Sequence, residues 1–113
     1  MIPFVTIKLG KEYKLRFGMA AMTEFEQATG IKIKSLDDDM SVTVQGQIIY
    51  YMMKQEDPTL TFKAVCDLID ENADNIGNVI EKINMAMRVA FLGNIIADVE
   101  TPETTPLPNE VPL

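Results

Sequence analysis

Reactive side chains are scarce in this chain, and that scarcity narrows its chemistry at once. Among 113 residues there is no His, no Trp and a single Cys, Cys66. The common pairs of nucleophile and base, and the zinc sites built from His and Cys, therefore lack their parts. Gly10, Gly18, Gly30, Gly46, Gly77 and Gly93 are scattered singly, so no glycine-rich loop offers to cradle a phosphate. Three consecutive carboxylates, Asp37-Asp38-Asp39, fall in a polar stretch between apolar segments and read as a solvated connector. Cys66 stands among apolar residues at helical spacing and reads as core. The inventory points to a protein that works through its surfaces, with no catalysis, no cofactor and no metal.

Two spacings imitate sites of known chemistry. Asp70, Asn72 and Asp74 fall at positions 1, 3 and 5 of an EF-hand calcium loop, and Glu81 at position 12. Eight Met residues and flanking helical patterns suit an EF-hand-like calcium-binding regulator with a Met-rich groove. Against that alternative, Asn75 stands where the sharp turn needs Gly. Gly77 takes an apolar position of the loop, and Ile76 to Glu81 belong to a helix of their own. The second imitation, Ser35-Leu36-Asp37, is similar to the modified Ser-Leu of acyl carrier proteins, but Lys34 replaces their Asp and a hairpin precedes it.

Charge and composition limit partner and compartment. A formal charge of −7 disfavours nucleic acid, whose phosphates it would repel. That charge is uneven: residues 1–34 carry +3 and residues 35–113 carry −10. A lone thiol fits a reducing compartment. Met1-Ile2-Pro3-Phe4 has neither the basic start nor the apolar run of a signal peptide. The greasiest stretch, Ile83 to Val99, is broken by Asn84, Arg88, Asn94 and Asp98, too interrupted to cross a membrane. The expected location is the cytoplasm.

These residues have to be positioned by a mainly helical α+β domain. Phe4–Leu9 and Tyr13–Phe17 alternate apolar with polar residues and read as two strands. Gly10-Lys11 between them suits a two-residue type II′ turn. An isolated hairpin is marginal in water, so its apolar face must lie on helices. Four helices follow. The first runs from Met19 to Thr29, with Met19, Met22 and Phe25 inward and Gly30 as its cap. The second starts after Ser41, buries Val44, Ile48, Ile49, Met52 and Met53, and stops before Pro58. Thr61 caps the third, with Phe62, Val65, Cys66, Leu68 and Ile69 apolar. The fourth carries Ile76, Val79, Ile80, Ile83, Met87, Ala90 and Phe91 at helical spacing and is the expected organiser of the core. Residues 1–97 form this hairpin-plus-helices domain. From Asp98 onward Pro, Thr and Glu dominate, and residues 98–113 read as a flexible, disordered acidic tail.

In order and spacing the segments resemble a known family. Tyr13-Lys14-Leu15-Arg16-Phe17-Gly18-Met19 leads into Glu24-Phe25-Glu26 and Gly30-Ile31. Ile48-Ile49-Tyr50-Tyr51, Glu56-Asp57-Pro58-Thr59-Leu60-Thr61 and Val65-Cys66-Asp67-Leu68-Ile69-Asp70 follow. From about Ile7 to Phe91 this is similar to the tail assembly chaperones of long-tailed, siphovirus-type bacteriophages and prophages. The resemblance implies a non-enzymatic protein of virion morphogenesis that coats the tape measure protein in the bacterial cytoplasm. It is shed before the virion matures, and so is not expected in the finished particle. It also implies self-association into a homo-oligomer and, as a further partner, a frameshifted longer form of the same chain. A generic adaptor or inhibitor module remains the plainer alternative.

A chaperone for a long helical protein needs adaptable apolar surface, and Met suits that purpose. Tyr50, Tyr51 and Met52 on the second helix are candidates for such a surface, with Met85, Val89 and Leu92 off the main stripe of the fourth. Adjacent Tyr50 and Tyr51 point about 100° apart, so at most one is expected to be fully core. Truncation after Glu100 is predicted to move the melting temperature by less than about 4 °C, the shift that roughly 1 kcal/mol gives in a domain of this size. A thermal melt followed by circular dichroism checks this.

Overall fold

The apolar alternation of the first strands dictates the register of their pairing. A computed structural model describes residues 1–36 and 41–93. In it β1 (Val5–Leu9) pairs antiparallel with β2 (Lys11–Leu15), setting Val5 opposite Leu15, Ile7 opposite Tyr13 and Leu9 opposite Lys11. Gly10 alone stands at the tip, at φ 83°. The two-residue turn expected at Gly10-Lys11 is therefore corrected. Such a turn would slip the register by one residue and set Ile7 opposite Lys14, putting the two apolar sets on opposite faces. The single-residue tip keeps both sets on one face, where Ile7, Leu9 and Leu15 are buried. Phe4 and Phe17 lie just outside the strands.

Local signals set the helices. Helix α1 (Met19–Thr29) ends on Gly30 in the left-handed region, whose N–H donates to Glu26 O at 2.9 Å. A short 3-10 turn, Ile33–Ser35, follows. Helices α2 (Val42–Glu56), α3 (Phe62–Asn72) and α4 (Ile76–Leu92) complete the described chain. Between α2 and α3, the Asp57 carboxylate accepts from the Thr59 hydroxyl at 2.6 Å and the Thr59 amide at 3.1 Å. The hydroxyl, then the amide, hold the Asp57 carboxyl below its ordinary range. The Asp37–Asp39 connector, the domain's expected end at 97 and the tail beyond it lie outside the described residues.

Packing places α2 at the centre, where α4 was expected. Ile48 and Ile49, then Met52 and Met53, are all fully buried. Adjacent residues on a helix diverge by about 100°, so two buried neighbours need cover on more than one side. That cover comes from α1 and β2, and from α3 and α4. Helix α4 lies on β1 and α2, burying Val79, Ile83, Ala86, Met87 and Val89. Three inward assignments are corrected at helix ends: Met19 is 79% exposed, Ile76 49% and Phe91 53%. Ile83, 2% exposed, is mid-helix in the packed part of α4. Ile83→Ala is expected to cost about 2–5 kcal/mol, whereas Ile76→Ala should cost under roughly 1 kcal/mol. Urea unfolding with an unchanged slope measures both.

Candidate functional site

Three helices of this protein begin in the same way. A polar residue precedes each, and its side chain accepts a hydrogen bond from the amide three residues on. Ser41 Oγ accepts from Val44 N at 3.2 Å, Thr61 Oγ1 from Ala64 N at 3.1 Å, and Asn75 Oδ1 from Asn78 N at 2.8 Å. The next residue is apolar in every case: Val42, Phe62 and Ile76. They remain 71%, 42% and 49% exposed.

Each exposed residue heads a stripe at i, i+4 and i+7, the spacing that stays on one helical face. The stripes are Val42-Gly46-Ile49 on α2, Phe62-Cys66-Ile69 on α3 and Ile76-Ile80-Ile83 on α4. All nine residues line one groove of about 390 Å³. Ile49 and Ile83 are its buried depth, and the three helix-first residues form its exposed rim. The Phe62 ring lies over Gly46 of α2, where even a Cβ would meet it at 3.6 Å, an ordinary contact distance. The polar side chains of the lining are Thr43, Gln45 and Asp70.

The surroundings of the groove are acidic on one side. From Ala64 to Glu81 the chain carries five acids and no base. Lys63, just before this stretch, is held by Asp67 at 3.1 Å, and the hydrogen bond to that carboxylate raises its pKa.

The six residues singled out from sequence do not form one surface. Tyr50 and Tyr51 are both half-buried, their ring centroids 4.7 Å apart. They belong to an aromatic run in which Phe17 meets Phe25, Phe25 meets Tyr51, and Tyr50 meets Phe62. Lys54 lies 5.8 Å from each tyrosine ring and pairs with Glu24 at 3.3 Å, and that hydrogen bond raises its pKa. Phe62 is thus the link between the tyrosine pair and the groove. Met52 and Val89 are buried, so reading them as surface is corrected: cover on several sides encloses the one, and α4's lean onto the core encloses the other. Met85 is half-buried beside Ile80, Glu81 and Arg88, away from the tyrosines. Leu92 is exposed at the end of α4.

The expectation of a Met-built binding surface also shifts. Met52, Met53 and Met87 are core, and among the described residues no Met lines the groove, whose large apolar side chains are Val, Ile and Phe. The repeated start, a capping residue followed by an apolar one and its i+4 and i+7 partners, was the sequence signal for this groove. The calcium spacing does not survive as a loop. Asp70 and Asn72 are in α3, Glu81 is in α4, and only Ala73, Asp74 and Asn75 separate the helices. Asn75 is occupied as a helix cap, and the Asn72 amide donates to Leu68 O. Among the described residues no group of His, Cys, Asp and Glu is placed to hold a metal ion, and no helix is long and apolar enough to cross a membrane.

Comparison with protein-family models, with curated proteins and with solved structures gives no match. The groove itself is therefore the observation to test. A hydrophobic dye such as ANS is expected to fluoresce on the native protein, and Val42→Arg with Ile76→Arg to weaken that signal several-fold. Both positions are exposed, so the melting temperature should move by less than about 4 °C. Dye titration alongside a thermal melt separates loss of the site from loss of the fold.

Proposed function

We propose that this chain is a tail assembly chaperone of a long-tailed bacteriophage or prophage, acting without catalysis in the host cytoplasm. It binds apolar helical faces of the tape measure protein and shields them until the tail tube polymerises. The observation that carries this reading is the apolar groove with an exposed apolar rim. Three capped helices each begin with an exposed Val, Phe or Ile, and these three residues converge on the rim of one groove instead of lying scattered. Exposed apolar surface of this kind marks interaction sites. The order of segments adds support, because the Asp57-Pro58-Thr59-Leu60-Thr61 break is the turn that sets α3 against α2 and so shapes the groove.

The test is co-expression with the product of a long, coiled-coil-like reading frame immediately downstream. The expected result is a soluble complex that co-purifies with the full chain and is lost with Ile80→Arg. Separate elution of the two proteins, or an Ile80→Arg complex as stable as the original, would overturn the reading.

A further inference from the structure

We infer that the groove between α2, α3 and α4 takes an amphipathic α-helix whose apolar face is flanked by Lys and Arg. The inference rests on the binding role proposed for the same groove and adds the conformation and charge of what binds there.

Conformation follows from the walls. Among the described residues only helices line the groove, and they offer no strand edge for an extended peptide to extend. An extended segment would carry unpaired backbone N–H and C=O groups into a lining with few polar partners, which is costly. A helix satisfies its own backbone. The dimensions agree. Each wall stripe runs from i to i+7, seven rises of 1.5 Å or about 10.5 Å along its axis. That is the length over which an incoming helix presents its own i, i+4 and i+7 side chains.

Charge follows from the acids around it. The described residues hold ten acids and ten bases, so the excess along α3 and the start of α4 is local. Asp70 lines the groove, while Glu71, Asp74 and Glu81 are exposed nearby in sequence. Two bases bracket this stretch, Lys63, which is engaged with Asp67, and Lys82, which follows Glu81 on α4. The positive ends of α2, α3 and α4 oppose this field, but each amounts to roughly half a charge and is partly capped. Even with Lys63 and Lys82 counted against them, the five acids from Asp67 to Glu81 leave three net negative charges, which outweigh those helix ends. A helix with Lys and Arg beside its apolar stripe meets both features of the site, and one flanked by Glu meets only the first. Complementarity of this kind acts mainly on specificity and on the rate of encounter.

The experiment uses the full chain and two synthetic helices of about 18 residues, long enough to hold helical structure. Both carry the same Leu stripe, one flanked by Lys and the other by Glu. Fluorescence anisotropy of the labelled peptides gives affinity. The reaction rate of Cys66 with a thiol reagent gives location, since Cys66 is the chain's one thiol and lines the groove. At about 50 mM salt the Lys peptide should bind at least roughly tenfold tighter than the Glu peptide, and the difference should shrink as salt rises. Asp70→Lys should shrink it too. The Lys peptide should slow the Cys66 reaction, and Val42→Arg should remove both effects while leaving the melting temperature in place.

Equal affinities, with Cys66 protected by both peptides, would overturn the basic-helix inference and leave the binding role standing. Failure of both peptides to bind while Cys66 stays reactive would remove the role with it. Cys66 protection that grows with protein concentration alone would give the groove to a second copy and overturn the inference. Protection in the full chain that disappears on truncation after Glu100 would do the same in favour of the chain's own C-terminal segment.

Discussion

One narrow apolar face holds this fold together. Two strands present Ile7, Leu9 and Leu15, with Phe17 just beyond, and a lone hairpin cannot keep such a face out of water. The helices have to cover it, yet neighbouring strands lie about 4.8 Å apart, whereas packed helices need about 8–10 Å between axes. Two helices therefore cannot both sit squarely over two strands. The structure divides the face instead, with β2 against α2 and β1 against α3 and α4. Spread by their own width, α2 and α4 meet closely only over part of their lengths. Their first turns, with α3, enclose the groove rather than closing on one another. The groove is thus a geometric remainder of how three helices share two strands.

The same constraint explains why α2 is the central element. It lies between α1 and the other two helices and also touches the hairpin, so two pairs of adjacent residues can be buried at once. The aromatic run from Phe17 through Phe25, Tyr51 and Tyr50 to Phe62 follows this line across the molecule. Edge-to-face contacts like those of Phe17 with Phe25 and Tyr50 with Phe62 add about 0.5–1.5 kcal/mol each beyond area burial. They fix the angle at which α3 starts, and with it the position of Phe62 at the rim. Tyr50 and Tyr51, which look from sequence like surface anchors, therefore act in building the rim.

What the sequence reveals about this protein divides by the range of the signal. Capping residues, Gly30 and Pro58 act within one turn, and they place α1, α2, α3 and α4 at their observed boundaries. The α+β class and the hairpin's inward face follow from alternation, which is also local. The tip of the hairpin was misread because turn chemistry at Gly10-Lys11 was weighed without the register that the apolar pairs require. The faces of helix ends were misread for a different reason. Met19, Ile76 and Phe91 keep helical spacing with true core residues but extend past the elements that could cover them. Val89 falls off the stripe of Ile83 and Met87, yet packing turns it inward. The groove needs three helices from separate parts of the chain, so its location is a tertiary fact. Only its repeated cap-and-apolar start was visible beforehand.

The charge pattern changes meaning once the chain is folded. Along the sequence, a basic first third and an acidic remainder suggest a molecule with unlike ends that could associate head to tail. In space the two parts are interleaved. Arg16 pairs with Glu56 at 3.7 Å, Lys54 with Glu24 at 3.3 Å, and Lys11 acts on Asp57. The described body is neutral, and the net −7 of the chain is contributed by Asp37, Asp38 and Asp39 with Asp98, Glu100, Glu103 and Glu110. Net charge is what keeps a protein with exposed apolar surface dispersed, and exposed ion pairs contribute little to holding copies together. The net charge of the chain thus comes from residues outside the described body, whereas the five acids from Asp67 to Glu81 lie within it, along α3 and the start of α4.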